Sequence, residues 1–226
     1  MPRFQMLVLF GLLAGFPRFG SSQVCNGQAS FAHAPFQASG NAVFNKDAKS
    51  FGAGFAFGGV GPFAQLNLGT TSYDGLDGSS LNLGAEAGYQ VSLDKKGVFH
   101  LCPTAAFEFS SGPNNLDVFG DGSVVIDLKQ TDFSFGIGVG ALAWRSDQAQ
   151  IIPNASLSFV SATLKATDDV SGQSQSTSET FGIVGLGLGF VFNRVVSFHP
   201  GMAIPVGLDG ASVTFGATLS VNFGRR

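Results

Sequence analysis

Glu86 and Glu108 are the first residues on which chemistry could rest. Two carboxylates held close can divide acid and base roles, or can line a cation-selective constriction. Both lie inside runs that alternate bulky apolar residues with small polar ones, and both fall on the small-residue side, as does Asp132. The plainer reading of that placement is a polar interior network of carboxylate, serine, asparagine and water. His100 and His199 share the same side, a few residues beyond short turns. A metal site or a hydrolase histidine is conceivable there, but no serine and acid accompany either on one face. A structural role is therefore expected for both, with no enzyme activity, no cofactor and no metal. Gly185-Leu186-Gly187-Leu188-Gly189 has a dinucleotide-loop look. That fingerprint needs a strand, a glycine turn and then a helix, whereas this run continues as strand. Asp74, Asp77, Asp117, Asp121 and Asp127 offer oxygen ligands for divalent ions, although Asp and Gly are equally the chemistry of turns.

The elements that must position these residues are strands. In 213–223, Val213, Phe215, Ala217, Leu219, Val221 and Phe223 alternate with Thr214, Gly216, Thr218, Ser220 and Asn222. Side chains on a strand point alternately to opposite faces, so this stretch has one greasy and one small polar face. Upstream stretches repeat the pattern, with glycine, serine or asparagine opposite Phe, Leu and Val. A core made of glycine and asparagine would be nearly empty, so the bulky face is the one that leaves water and meets lipid.

Ten such strands are expected, with eight as the alternative: 36–45, 51–57, 64–68, 81–93, 99–109, a long one ending at 143, 151–159, 184–192, 196–206 and 213–223. Short turns near 59–62, 94–97, 146–149 and 193–194 alternate with longer loops near 74–79, 111–122 and 168–178. Tilted spans of about nine to eleven residues cross a bilayer, and closing the sheet pairs every backbone group without leaving an edge. The fold expected is all-β, a closed antiparallel up-and-down transmembrane barrel. Pro103, Pro153 and Pro200 each follow a short turn by a few residues. Proline removes a ladder donor, so a ring of bulges near one rim is expected.

Composition agrees. Charged residues make up only 12% of 226 while hydrophobic residues make up 44%, and a water-facing surface needs about twice that charge. The N-terminus has the form of a secretory signal over 1–22, with Arg3, an apolar run from Met6 to Phe16, and small residues before Gln23. Losing Arg3 and Arg18 takes the formal charge from −3 to −5, which argues against a nucleic-acid partner. Residues 23–35 form an N-terminal periplasmic segment, and 36–226 the barrel. The two cysteines of an exported chain, Cys25 and Cys102, are expected to pair.

The export signal, the glycine-rich alternating strands and the closing strand resemble small bacterial outer-membrane β-barrel proteins, the porin-like or OmpA/OmpX-type group. The resemblance spans roughly residues 28 to 223. It implies a place in the cell outer membrane among its lipids. It also implies a terminal aromatic read by the barrel-assembly machinery; Phe223 matches, although Gly224-Arg225-Arg226 follows it. The function expected is a narrow polar lumen passing ions or small solutes, the alternative being a structural or surface-interaction barrel without transport.

Overall fold

The computed structural model describes residues 34–58, 61–74, 78–113, 116–117, 125–168, 171–208 and 210–224. The signal segment, Cys25, Asp77, Asp121, Arg225 and all but the last two residues of 23–35 lie outside the described residues. Ten strands build the molecule: β1 (Phe36–Phe44), β2 (Ala48–Gly58), β3 (Pro62–Tyr73), β4 (Ser79–Tyr89) and β5 (Phe99–Ser111). They continue with β6 (Val125–Ala141), β7 (Ala149–Asp168), β8 (Ser174–Phe192), β9 (Val196–Val206) and β10 (Thr214–Phe223). Each pairs antiparallel with its sequence neighbours, and β1 pairs with β10 from Phe36↔Phe223 to Phe44↔Phe215. The sheet is closed, as expected, and the count is ten rather than eight.

The bulky residues radiate outward. Phe55, Leu66, Leu83, Phe107, Phe135, Leu157, Leu186 and Leu219 are all exposed, forming an apolar belt around the cylinder. Rings of Phe36, Phe55 and Phe223 lie about 6 Å from one another across the closing seam, so the aromatic end of β10 is packed on the outer face.

The turns show why these strands reverse where they do. Asn193 and Arg194 both have positive φ, 48° and 60°, the pair of left-handed residues that a tight two-residue hairpin requires. The turn before β5 is held by Asp94. Its Oδ1 accepts from the Phe99 and Val98 amides at 2.7 and 2.8 Å, and Oδ2 from the Lys96 amide at 3.0 Å. The Phe99 bond, followed by those to Val98 and Lys96, holds this carboxyl below the usual carboxylate range.

The prolines depart from expectation. Pro103, Pro153 and Pro200 pair regularly with one neighbour, at Ile137, Leu188 and Ala217. On the other side, towards the preceding strand, each interrupts the ladder. Beside Pro103 and Pro200 the register resumes unchanged, from Gly88↔Thr104 to Val91↔Leu101 and from Gly187↔Gly201 to Phe190↔Phe198. Only beside Pro153 does it slip. Between Asn154↔Gly140 and Ile151↔Trp144, three residues of one chain oppose two of the other, which is a bulge. The expected ring of bulges is therefore one bulge and two gaps, because a missing N–H removes a bond without inserting a residue.

A second departure concerns 168–178. β7 continues to Asp168 and β8 begins at Ser174, so the connection is much shorter than the expected loop and its polar residues are mostly strand. β6, β7 and β8 hold 17, 20 and 19 residues, against 9 to 13 in the other seven. A three-stranded sheet thus rises beyond the rest of the barrel.

Along these strands the facing pattern inverts. On β7, Leu157 and Phe159 point out while Asn154 and Ser158 point in. Higher up Ser161 and Lys165 point out while Val160, Ala162, Leu164 and Ala166 are buried. On β6 the switch falls between Phe133 and Thr131, with Ile126 and Leu128 buried above it. Register places Phe133 opposite Ser161 and Ser161 opposite Thr180, so the strands invert at one level. Below it the outer solvent is lipid; above it the outer face carries serine, threonine and lysine, as water demands.

Candidate functional site

The lumen is the site, and strand register decides which of its side chains meet. Glu108 lies directly opposite Asp132. Glu86 lies opposite Gln65 on one side and Ala106 on the other, two residues from Glu108. Three adjacent strands, β4, β5 and β6, thereby present one carboxylate each to the interior. Asp132 is buried, and both its oxygens accept from Gln130 Nε2 at 3.0 Å.

The facing wall is neutral. Asn154 Nδ2 stands 2.9 Å from His199 Nε2; the amide nitrogen donates, so the ring proton belongs on Nδ1. Between the walls lies a cavity of about 120 Å³ that touches Glu86, Glu108, Asn67, Asn82, His199 and Cys102. At roughly 10–15 Å³ for each water centre, it has room for about ten waters. No lysine or arginine lines it.

Of the residues singled out in the sequence, Glu86, Glu108 and His199 share this chamber, and Asp132 joins them across the β5–β6 pair. His100 does not. It lies at the mouth on the short-turn side, where Gln90 Nε2 donates to its Nδ1 at 3.0 Å and its Nε2–H donates to the Gly97 carbonyl at 3.0 Å. Cys102 is almost fully buried, lines the cavity, and packs with Ala56 and Phe63. No described cysteine is free. Among the described residues no three His, Cys, Asp or Glu gather as metal ligands, and Lys95, Lys96 and Arg194 occupy short turns at one end of the barrel, with Arg145 in the two-residue strand 144–145 beside another.

The sequence reading missed the apolar interior at both ends. Ile152 and Val191 with Leu142 pack near the short-turn end, and Val160, Ala162, Leu164 and Phe181 with Ile183 and Leu208 pack towards the other. The signal was present: after Phe159 the apolar residues of β7 move from odd to even positions. It was hidden because the alternation itself continues.

An all-β sheet closed on itself, an external apolar belt and a polar interior define the class: a transmembrane β-barrel of the outer-membrane type. The chain is therefore assigned to the cell outer membrane, with its belt against lipid. No protein-family model and no curated protein sequence matches the chain. Among solved structures it is similar to the translocator domain of the autotransporter NalP from Neisseria meningitidis, at 11% identity over 98% of this chain and 95% of that one, with a TM-score of 0.49. It is also similar to the N-terminal barrel domain of Pseudomonas aeruginosa OprF, at 10% identity over 84% and 99%, TM-score 0.36. The Yersinia pestis attachment invasion locus protein Ail matches at 13% identity over 84% and 95%, TM-score 0.41. The class rests on this chain's own register and belt.

Proposed function

We propose that the chain is an exported porin-like barrel whose narrow lumen passes small cations and small polar solutes. One observation carries the reading: Glu86 and Glu108 face a chamber with no lysine or arginine on its wall, and Asp132 stands directly opposite Glu108. A low-dielectric wall focuses the field of such carboxylates onto the path, favouring cations over anions. Residues 1–22 act as the export signal, the barrel-assembly machinery reads Phe223, and Cys25 joins Cys102. No enzyme role is proposed. Single-channel recording of the full-length chain in a planar bilayer, with and without a thiol reductant, tests the passage. Discrete cation-selective steps are expected, and the double variant Glu86→Gln/Glu108→Gln should lose most of that preference. Absence of steps in both conditions removes the reading.

A second reading, a surface-interaction barrel, is favoured by the projecting sheet. β9 pairs with β8 only from Gly182 onward, so among the described residues no strand takes that edge of 174–181, which carries Ser, Thr and Gln with Glu179 and Phe181. Such an edge can take up another extended chain. Cells displaying the protein should aggregate or adhere more than cells whose barrel is trimmed of 163–178; equal adhesion counts against it.

A further inference from the structure

The outer face of the projecting sheet carries a charge pattern that the lumen does not explain. Lys129 on β6 and Lys165 on β7 stand directly opposite each other in the ladder, and both point outward and are exposed. Directly opposed residues hold their Cβ atoms about 5 Å apart, and like charges so placed destabilise a sheet. Among the described residues neither lysine has an ion-pair partner. Asp127, the next outward residue on β6, lies farther from the belt, opposite Thr167.

The immediate neighbours are hydroxyls. Ser111 flanks Lys129 on β5, and Ser176 flanks Lys165 on β8. One step towards the belt Thr131 lies opposite Thr163, whose Oγ1 stands 2.8 Å from Ser178 Oγ. The patch thus joins two cations that repel each other to a field of hydroxyls, and among the described residues no acid stands on its membrane side. Its height decides which anion it meets. Lys129 and Lys165 come four residues past Phe133 and Ser161, where the facing pattern inverts. At a strand tilt of roughly 40° that is about 10 Å. A headgroup layer is roughly 5–8 Å thick on each side of the hydrocarbon, and lysine stems bend to keep their ammonium groups in it.

We propose that Lys129 and Lys165 clamp a phosphate monoester on the headgroup of a lipid in the leaflet beside the projecting sheet. Such a group carries close to two negative charges and three acceptor oxygens. It matches two ammonium groups and turns the repulsion between them into two attractions, whereas a phosphodiester brings one charge. The inference rests on the lipid belt and is independent of whether the lumen conducts. Native mass spectrometry of the full-length chain, taken from phosphocholine vesicles containing either phosphatidic acid or phosphatidylglycerol, tests it. The native chain should retain phosphatidic acid in preference. Each lysine near an anionic headgroup is worth roughly fivefold in affinity. Lys129→Gln/Lys165→Gln should therefore hold phosphatidic acid roughly 30-fold more weakly, and Lys95→Gln/Lys96→Gln at the other rim should leave retention unchanged. Equal retention of the two lipids, undiminished retention by Lys129→Gln/Lys165→Gln, or loss with Lys95→Gln/Lys96→Gln instead overturns the clamp. Inorganic phosphate added to phosphocholine vesicles should not raise the denaturant midpoint of the chain. A rise equal to that from phosphatidic acid makes the free ion the ligand and overturns the lipid assignment. Heat-dependent gel mobility shows whether Lys129→Gln/Lys165→Gln is folded. In phosphocholine alone its denaturant midpoint should equal or exceed that of the native chain, since a repulsion is removed; a lower midpoint makes the pair structural and overturns the proposal.

Discussion

Leu66 and Leu93 are equally exposed, at 59% and 58%, and differ in depth. Leu66 is the fifth residue of β3, about 10 Å from the end of the strand at Pro62 once a strand tilt of roughly 40° is allowed for. Leu93 lies in the turn before β5, at the rim. Replacing either with arginine removes similar apolar area, so the difference between the two variants isolates the cost of charge in lipid. That cost is about 2–4 kcal/mol near the bilayer midplane and about 0–1 kcal/mol at the interface. Leu66→Arg should therefore lower the folding equilibrium by roughly 30- to 700-fold, while Leu93→Arg changes it by less than about fivefold. Denaturant titration in phosphocholine vesicles, read by the heat-dependent gel shift of the folded barrel, measures both. On a water-facing exterior both would be near neutral, as surface substitutions usually are. Equal effects at the two positions would refute the belt and with it the orientation of every strand.

Other outcomes follow from single residues. Gly187→Ala would drive a Cβ into the His199 ring and to 2.7 Å from Asn154 Oδ1; overpacking of this kind costs about 1–3 kcal/mol, measurable as a lower denaturant midpoint. Arg194→Gly relieves a left-handed arginine at φ 60° and should raise stability by about 1 kcal/mol. Asp94 contributes stability that is present above its unfolded pKa and lost as pH falls through its depressed folded value. The denaturant midpoint of the native chain should therefore fall on acidification below about pH 4, and Asp94→Asn should flatten that part of the profile.

Much of the fold was legible because strand periodicity is local. Phe51, Phe55 and Phe57 against Gly52, Gly54 and Gly58 declare their two faces without any knowledge of neighbours, and a glycine-rich face excludes a packed interior of ordinary density. Asn193-Arg194 announced its own hairpin. The inversion on β6 to β8 was harder, since serine outside and valine inside alternate as faithfully as the reverse. The polar residues of 174–178 looked like loop because polarity alone does not separate a solvated strand from a turn. The prolines were legible as interruptions but not as gaps rather than bulges, which depends on the partner strand.

The amino-acid order by itself determined a lipid-facing belt, a polar inner face and the places where the chain turns, because each depends on residues near one another along the chain. The folded arrangement decided what the interior is: that Glu108 meets Asp132, that His199 meets Asn154, that His100 stays at the mouth, and that a sheet rises past the belt. Those facts depend on register between strands and on the length of each pairing. Register is set jointly by all the strands as the cylinder closes, so no single segment encodes it.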